Sequence, residues 1–416
     1  MRKSKEDSTA AKQYVQLLSA TLIMIGFQFG ITTLLTRVMS PESFGTYKLI
    51  TNTNLLLQSC VTFGIPVTIS YLLTNDGNNV KDYVGAGLRA AIVSCLIGVT
   101  FCMMLLVIQL NTGLYIVDNI ALVMSPLCMI PVLIYYSEYL CIGTNRISLL
   151  SKLKVAIEIL LVILLLACWA IFERIGLGMV LCIYATANIM VLIYIFKTLG
   201  VSLKVYKGIF KKIFDTNKTV GLQTYIGSIF SVVSARIMVV LLDAYITKGE
   251  YAIYSLAITI SVPLGPLIST LGSVMFRRFN KLERMSKKFI LLLVTSVVGT
   301  AGVYVVGVNV FTTVLFGEYY RESISYACAI GIGSLLVGLG DVFNRFVMAK
   351  GRGKYIRNAA IISGAINIGI AAVLIADMTT VGVTIARVAG NATYLVLIVI
   401  AYLRVSRSIK KVEIQE

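Results

Sequence analysis

Residues 153–197 read LKVAIEILLVILLLACWAIFERIGLGMVLCIYATANIMVLIYIFK, two long apolar runs that meet at Glu173-Arg174-Ile175-Gly176. Each run has about the 20 apolar residues that an α-helix needs to cross a bilayer. The glycine-containing break between them favours a tight turn over one continuous helix. This stretch therefore predicts two membrane-spanning helices joined by a short loop.

Apolar runs of this kind fill nearly all of the 416 residues, of which 58% are hydrophobic and only 13% are charged. A soluble domain has roughly 25% charged residues, so the composition excludes a soluble protein. The fold class that follows is an all-α integral membrane protein with about 12 transmembrane helices. The predicted spans are Tyr14–Thr36, Phe44–Leu73, Tyr83–Gln109, Asn119–Cys141, Leu153–Phe172, Gly178–Lys197, Thr219–Asp243, Tyr251–Phe276, Phe289–Thr312, Ser323–Ala349, Ala359–Ala376 and Val381–Leu403.

The positive charge of the chain is distributed unevenly among the predicted loops. The net charge is +18 at pH 7, and most lysines and arginines fall in the two tails and in alternate loops. Cytoplasmic loops of membrane proteins carry such an excess. The pattern therefore predicts two cytoplasmic termini and an even number of spans. Nucleic-acid binding is the weaker interpretation, because a basic patch needs a soluble face.

Several classes of chemistry are excluded by the residues that the chain lacks. There is no histidine, which removes histidine-based triads, general bases and metal ligands. The eight cysteines are scattered within apolar runs without a CxxC pair, as expected of small core residues. No cleavage site follows the first apolar run, so we expect that span to remain as an anchor. We predict no catalytic residue, no metal and no cofactor.

A basic segment in the centre of the chain separates two groups of six spans. Within it, Ile209, Phe210, Ile213 and Phe214 alternate with lysines at helical spacing, which is typical of a helix that lies on a membrane surface. The predicted organisation is a cytoplasmic N-tail (1–13), an N-terminal six-helix bundle (14–197), a basic amphipathic cytoplasmic linker (198–218), a C-terminal six-helix bundle (219–403) and a cytoplasmic C-tail (404–416).

Two short motifs recur at nearly the same interval in the two halves. Phe44, Tyr47 and Leu49 have counterparts 207 residues later, and Ile175-Gly176-Leu177 resembles Val381-Gly382-Val383 at almost that spacing. Two matches at nearly one offset, with six spans in each half, favour a parallel internal repeat. Chance similarity between apolar sequences is the alternative.

These motifs are similar to those of a known family. The stretch Ser40-Pro-Glu-Ser-Phe44-Gly-Thr-Tyr47 resembles the first outer loop of bacterial polysaccharide and oligosaccharide flippases of the Wzx type, which share a superfamily with multidrug/toxin extruders and lipid II flippases. The further matches are Phe63-Gly64-Ile65-Pro66, Leu315-Phe316-Gly317, the basic loop Lys350-Gly-Arg-Gly-Lys354 followed by Asn367, and Gly382-Val-Thr-Ile-Ala386. Each motif is loose, but together they cover the whole chain in length, span count and loop placement.

The resemblance implies more than the residues alone do. It implies two six-helix bundles that face a central cavity, in a monomer of the bacterial cytoplasmic (inner) membrane. The implied cargo is an oligosaccharide linked to undecaprenyl diphosphate. The implied partners are membrane lipids, H⁺ or Na⁺ as a coupling ion, and a polysaccharide polymerase.

Ionisable residues inside spans are costly and are candidates for function by default. Arg236 lies in the middle of the seventh span, where it cannot easily reach bulk water, so we expect it to face an aqueous cavity. Its guanidinium group suits a diphosphate. The candidates for substrate binding are Arg236, Arg37, Lys48 and Arg345, and the candidates for ion coupling are Glu138 and Asp341. For Arg37 a surface role, and for Lys48 an anchoring role, are open alternatives.

Neighbouring charges give some of these residues a simpler interpretation. Asp341 and Arg345 are four residues apart on one helix face, so an intrahelical ion pair is the favoured alternative. Glu158 follows Lys154 by one helical turn, which predicts a salt bridge between them. Asp243 ends the seventh span, and we expect it near water.

Prolines inside the predicted spans are expected to interrupt the helical hydrogen bonds and permit bends. They are Pro66, Pro126, Pro131, Pro263 and Pro266. Kinked helices would suit alternating access, although rigid proteins have them too.

A flippase for a lipid-linked oligosaccharide is the leading functional hypothesis. A large anionic headgroup needs a hydrated cationic cavity, while its lipid tail stays in the bilayer. A cation-coupled multidrug exporter of the same superfamily is the first alternative, and a positive cavity argues against it. A membrane polymerase, ligase or acyltransferase is less favoured, because the chain has neither a long outer loop nor a histidine. A channel would require a filter-like motif, which we do not find.

Overall fold

The computed structural model describes residues 2–75, 80–113, 119–124, 129–144, 146–172, 175–200, 207–350 and 352–413, and all regular structure in these ranges is helical. The helices are α1 (Arg2–Val38), α2 (Pro41–Val61), α3 (Ile65–Asn75), α4 (Val80–Thr112), α5 (Asn119–Val123), α6 (Ile130–Gly143), α7 (Ile147–Phe172), α8 (Leu177–Leu199), α9 (Lys207–Thr216), α10 (Leu222–Leu241), α11 (Lys248–Ser261), α12 (Leu264–Lys281), α13 (Lys287–Phe311), α14 (Ser323–Ala349) and α15 (Gly353–Glu413). Short π-helical turns cover Asn217–Gly221 and Thr312–Phe316.

About half of the helices have the length and composition of membrane spans. Among the described residues, seven helices qualify as spans, or eight when α2 and α3 are counted as one bent span. Each of the twelve predicted spans overlaps helix, and the last two lie on either side of Thr379, where α15 loses helical geometry. The all-α membrane class is therefore confirmed, and α7 and α8 are separate helices. The turn residues 173–174 lie outside the described residues.

Contacts between Cα atoms divide the chain into two compact units, unit 1 (Met1–Ile229) and unit 2 (Phe230–Glu416). In unit 1, α4 and α6 are joined by a 2.9 Å hydrogen bond between the hydroxyls of Ser94 and Tyr136, which are both buried. In unit 2, the rings of Phe279, Phe346 and Tyr402 pack with centroid separations of 5.6 and 5.0 Å. These aromatic contacts hold α12, α14 and α15 together.

The helices α2 and α11, which carry the repeated motif, begin in the same way. Ser40 caps α2 by accepting a hydrogen bond from the Ser43 amide, and Thr247 caps α11 by accepting one from the Glu250 amide. Glu250 completes a capping box by accepting from the Thr247 amide at 2.8 Å. A hydroxyl residue before each apolar run thus fixes where both helices start.

The prolines occupy places other than helix interiors. The second span breaks before Pro66, which lies in the first turn of α3, and Pro131 likewise lies in the first turn of α6. Proline is tolerated there because first-turn amides have no intrahelical acceptor. The predicted bend of the second span is present, with an angle of 61° between α2 and α3. It is formed by residues 62–64 and not by Pro66. Pro126 lies outside the described residues.

The central basic segment contains α9. Ile209 and Ile213 are buried against unit 1, whereas Phe210 and Phe214 are 39% and 64% exposed. The predicted amphipathic helix therefore exists, with part of its apolar surface used in packing against the protein. The preceding residues 201–206 lie outside the described residues.

Candidate functional site

The position of Arg236 in unit 2 is set by close packing between α10 and α15. The Asn367 side chain donates a 2.9 Å hydrogen bond to the backbone oxygen of Ser234. A Cβ atom at Gly364 would lie 3.0 Å from the Ser234 hydroxyl, so the two helices approach closely here. This packing anchors α10 two residues before Arg236, whose side chain is half-buried.

A second arginine, Arg387 of α15, acts electrostatically on Arg236, because the two positive charges repel each other. Arg387 is also half-buried. Two fully buried tyrosines interact electrostatically with the pair, Tyr251 with Arg236 and Tyr254 with Arg387. Two like charges held together in a partly desolvated site are unfavourable, and an anion that contacts both relieves the repulsion.

The chemistry of this pair favours a phosphate-containing ligand. Each guanidinium group presents paired N–H donors that match phosphate oxygens, and the two positive charges together match the charge of a diphosphate. Thr384, one turn before Arg387 and beside Tyr254, adds a hydroxyl. We term Arg236, Arg387, Tyr251, Tyr254 and Thr384 the arginine-pair site.

The sequence identified Arg236 but did not place Arg387 among the binding residues. Arg387 is 151 positions further along the chain, so no local pattern connects the two. Its cost does mark Arg387 as a candidate for function, because an arginine inside the last span is as expensive as Arg236, but cost alone does not show what the side chain contacts.

Asp341 and Arg345, the other predicted pair in unit 2, take different partners. The Asp341 carboxylate accepts a 2.9 Å hydrogen bond from the Tyr394 hydroxyl, which in turn accepts a 2.8 Å bond from the Asn344 amide. Arg345 is exposed, and within the described part of the chain no ion pair joins it to Asp341. The carboxylate is instead held by a hydroxyl on a neighbouring helix.

The candidates Arg37 and Lys48 lie in unit 1. Arg37 is exposed in the last turn of α1, where it borders an apolar groove of about 580 Å³ between α1 and α7. Lys48 is half-buried on α2, with its ammonium 5.3 Å from the centre of the Phe44 ring. Both residues therefore belong to a different unit from the arginine-pair site.

The predicted salt bridge between Lys154 and Glu158 is wrong. Lys154 forms an ion pair with Glu138 at 3.5 Å. Glu138, a candidate for ion coupling, therefore already has a cation beside it. Glu158 is 8% exposed and accepts a 2.9 Å hydrogen bond from the Gln28 amide of α1. Helix packing overrides the one-turn spacing, because Lys154 faces α6 and Glu158 faces α1.

Asp243 also differs from its prediction. Its side chain is fully buried and bonds to the ammonium of Lys248, which is 22% exposed. The ion pair offsets the free-energy cost of burying the Asp243 carboxylate, a burial that the sequence did not predict. Among the described residues, no group of three or more Cys, Asp or Glu side chains is arranged to hold a metal ion.

Comparisons with known proteins agree with this architecture. A family model described as polysaccharide biosynthesis protein matches residues 10–283. No curated protein matches the chain significantly.

Solved structures with the same fold are transporters. An inward-facing multidrug resistance MATE family transporter of the MOP superfamily superposes with a TM-score of 0.68 at 14% identity, covering 95% of this chain and 99% of that one. Lipid II flippase MurJ, in an inward closed conformation, superposes with a TM-score of 0.70 at 14% identity, covering 94% and 90%. A MOP superfamily transporter from Pyrococcus furiosus gives 0.58 at 14% identity, covering 95% and 96%.

At these identities the structural likenesses show a shared fold. The family match extends over well more than half of the chain, so the chain belongs to the polysaccharide biosynthesis protein family.

Proposed function

We propose that this protein is a flippase that moves an oligosaccharide linked to undecaprenyl diphosphate across the bacterial cytoplasmic membrane. The observation that carries the proposal is the arginine pair, Arg236 and Arg387, whose two half-buried positive charges interact within unit 2. Its charge and donor geometry fit the diphosphate that joins sugar and lipid. Membership of a polysaccharide biosynthesis family supports a carbohydrate cargo.

The proposed mechanism requires no covalent chemistry. The diphosphate and its sugars bind in an aqueous cavity, and the polyprenyl tail stays in the bilayer. Alternating exposure of the arginine-pair site to the two sides of the membrane then transfers the headgroup between leaflets. The protein acts as a monomer, and the delivered repeat unit is extended by a separate polysaccharide polymerase to give O-antigen, capsule or exopolysaccharide.

Cation coupling would bring the transporter back to its loading state. For H⁺ or Na⁺ we favour Asp341 over Glu138, because Glu138 forms an ion pair with Lys154, whereas Asp341 forms none within the described residues. The charge of Arg345, one turn along α14, still acts on Asp341. To Asp341 we add the buried Glu158, whose neighbour Gln28 donates to it without neutralising it. A carboxylate that is not ion-paired gains most from binding a proton or sodium ion.

The proposal is tested in cells that lack the gene. Lipid-linked oligosaccharides are extracted from the deletion strain and from strains that express Arg236→Ala, Arg236→Lys or Arg387→Ala. Complete repeat units should accumulate and surface polymer should disappear in the deletion and in both alanine variants. Arg236→Lys should be intermediate, because an ammonium group keeps the charge but loses the forked geometry.

Arg321→Ala is the matched control, since Arg321 is 71% exposed and pairs with Glu318. It removes one arginine from unit 2 and should leave surface polymer unchanged. Normal polymer in Arg236→Ala, at equal expression, would remove the arginine-pair site from the mechanism. Normal polymer with altered drug sensitivity in the deletion strain would instead identify a multidrug exporter.

A further inference from the structure

The helix α9 has more apolar surface than its packing uses. Ile209 and Ile213, one turn apart, are each 6% exposed and face α3 and α4 of unit 1. Phe210 and Phe214 form the adjacent stripe and remain 39% and 64% exposed. A helix that only covers the protein would carry polar residues at these two positions.

Lysines flank this exposed stripe. Lys211 is exposed beside the stripe, and the Lys218 ammonium lies 4.7 Å from the centre of the Phe214 ring, whereas the exposed Lys212 lies on the opposite face of α9. The only nearby acid among the described residues of this segment is Asp215, 3.6 Å from Lys218. The surface is therefore apolar at its centre and positive at its edge.

The position of α9 in the chain places this surface at the boundary of the membrane. It lies between α8, which has the length and composition of a span, and the seventh predicted span, which contains α10. A helix between two spans lies at the level of the lipid headgroups, where exposed phenylalanine meets acyl chains and lysine meets phosphate.

The same segment continues directly into contacts with the second span. Asn217, the first residue after α9, donates from its amide to the Phe63 backbone oxygen at 3.1 Å. Its amide oxygen accepts a 2.7 Å hydrogen bond from the Thr68 hydroxyl. Asn217 thus bridges the end of α2 and the start of α3.

The bridged region is a strained break. Phe63 has φ +47° and Gly64 has φ +74°, which is the left-handed region that a phenylalanine rarely occupies. Gly64 also lies so close to the π-helical turn that an added Cβ would meet the Gly221 backbone oxygen at 2.3 Å. A shift of the segment that follows α9 therefore acts directly on the bend between α2 and α3.

We propose that α9 docks on anionic phospholipid headgroups and that this docking, passed on through Asn217, stabilises the bend between α2 and α3. The surface formed by Phe210, Phe214, Lys211 and Lys218 is then a lipid-sensing surface. Its occupant is the negatively charged leaflet of the membrane that the chain spans.

The test measures hydrogen–deuterium exchange in the full-length protein reconstituted into vesicles. One set of vesicles is phosphatidylcholine alone, and the other contains a quarter of phosphatidylglycerol. Phosphatidylglycerol should slow exchange several-fold in residues 207–221 and also in residues 60–68. Exchange that is unchanged in either region would overturn the proposal. No cargo is needed, so the result is independent of the flippase assignment.

A charge-matched pair of variants separates this surface from general basicity. The double variant Lys211→Gln, Lys218→Gln should lose the phosphatidylglycerol effect in both regions. The control replaces two exposed lysines at the start of α13, Lys287 and Lys288, by glutamine and should keep it. An equal loss in the control would overturn the proposal.

Asn217→Ala separates lipid binding from its transmission. This variant should keep the lipid-dependent protection of 207–216 and lose that of 60–68, because α9 still docks but no longer holds the break. Retention of both effects would show that Asn217 transmits nothing and would overturn the second half of the proposal.

Discussion

The second span of unit 1 and its counterpart in unit 2 start alike and break differently. Both begin at a hydroxyl N-cap, Ser40 for α2 and Thr247 for α11. Each is followed after a short interruption by another helix, α3 or α12. In unit 1 the two parts diverge by 61°, whereas in unit 2 residues Lys248–Ser269 still run as one apolar span.

The two breaks have different physical causes. In unit 1, positive φ values at Phe63 and Gly64 turn the chain. The backbone carbonyls that lose their helical partners accept hydrogen bonds from residues distant in sequence. The Tyr225 hydroxyl donates to the Cys60 oxygen at 2.6 Å, and Asn217 donates to the Phe63 oxygen. In unit 2, Pro263 interrupts the ladder.

The support in unit 2 is local to the helical core. Ser261 is fully buried, and its hydroxyl lies 2.9 Å from the Tyr304 hydroxyl and 3.0 Å from the Ala327 oxygen. The comparison shows that the bend in unit 1 depends on hydrogen bonds from residues more than 150 positions away. The break in unit 2 is supported by Ser261 of the same helix and by the helices packed against it. A distant support can be withdrawn without unfolding the helix, so the bend in unit 1 is the better candidate for movement.

The largest expected effect comes from Gly64→Ala. The new Cβ would lie 2.3 Å from the Gly221 oxygen, and φ at this position is +74°. Backbone strain of this kind costs about 1–3 kcal/mol, and the collision adds to it. The midpoint of thermal unfolding in detergent, followed by tyrosine fluorescence, should fall markedly.

Gly265→Ala, beside the other break, is the matched control. Its Cβ would lie 3.1 Å from the Ser334 oxygen without positive φ, and alanine is favoured over glycine in a helix by about 1 kcal/mol. Its midpoint should change much less. An equal fall in the unfolding midpoint of the two variants would mean that the two breaks are packed equally tightly, which would contradict the difference drawn between them.

Hydropathy was sufficient to predict the helices, because it is a property of single stretches of sequence. The cost of burying a charge made Arg236 a candidate for function in the same way, and its role in binding stays a prediction. The partner of each buried charge was not predictable. Lys154 is one turn from Glu158 yet pairs with Glu138 across a helix interface. Such choices depend on which helix faces which, and a single sequence does not contain that information.

The break in the second span illustrates the same limit. Pro66 was the obvious cause of a bend, but it lies in the first turn of α3, and the bend occurs at Phe63 and Gly64. The residues that satisfy the freed carbonyls, Asn217 and Tyr225, are distant in sequence. Long-range hydrogen bonds leave no periodic pattern, so sequence reasoning had no signal for them.

A smaller effect is expected from removing the hydroxyl groups that support each break. Tyr225→Phe leaves the Cys60 oxygen without this donor, which should cost about 1 kcal/mol. Ser261→Ala should cost less, because the Tyr304 hydroxyl still donates to the Ala327 oxygen at 3.1 Å.

Hydrogen–deuterium exchange measured locally would separate these two variants. Exchange around residues 60–64 should accelerate in Tyr225→Phe, while exchange around residues 258–265 should change little in Ser261→Ala. Faster exchange in the second variant than in the first would show that the support in unit 2 is the weaker one.

The smallest effect is expected from Pro263→Ala. Alanine supplies an amide donor and a better helical residue, while the unfolded chain gains freedom that proline denied it. The gain in the folded state and the greater freedom of the unfolded chain oppose each other, and the surrounding span is already nearly continuous. The free energy of unfolding should therefore change by less than about 1 kcal/mol. Unfolding midpoints and exchange at residues 262–265 provide the measurement, with slower exchange expected as the ladder is restored. A loss as large as that of Gly64→Ala would mean that the proline is as indispensable to its break as the glycine is to the other. The two spans would then be alike in how they bend as well as in how they begin.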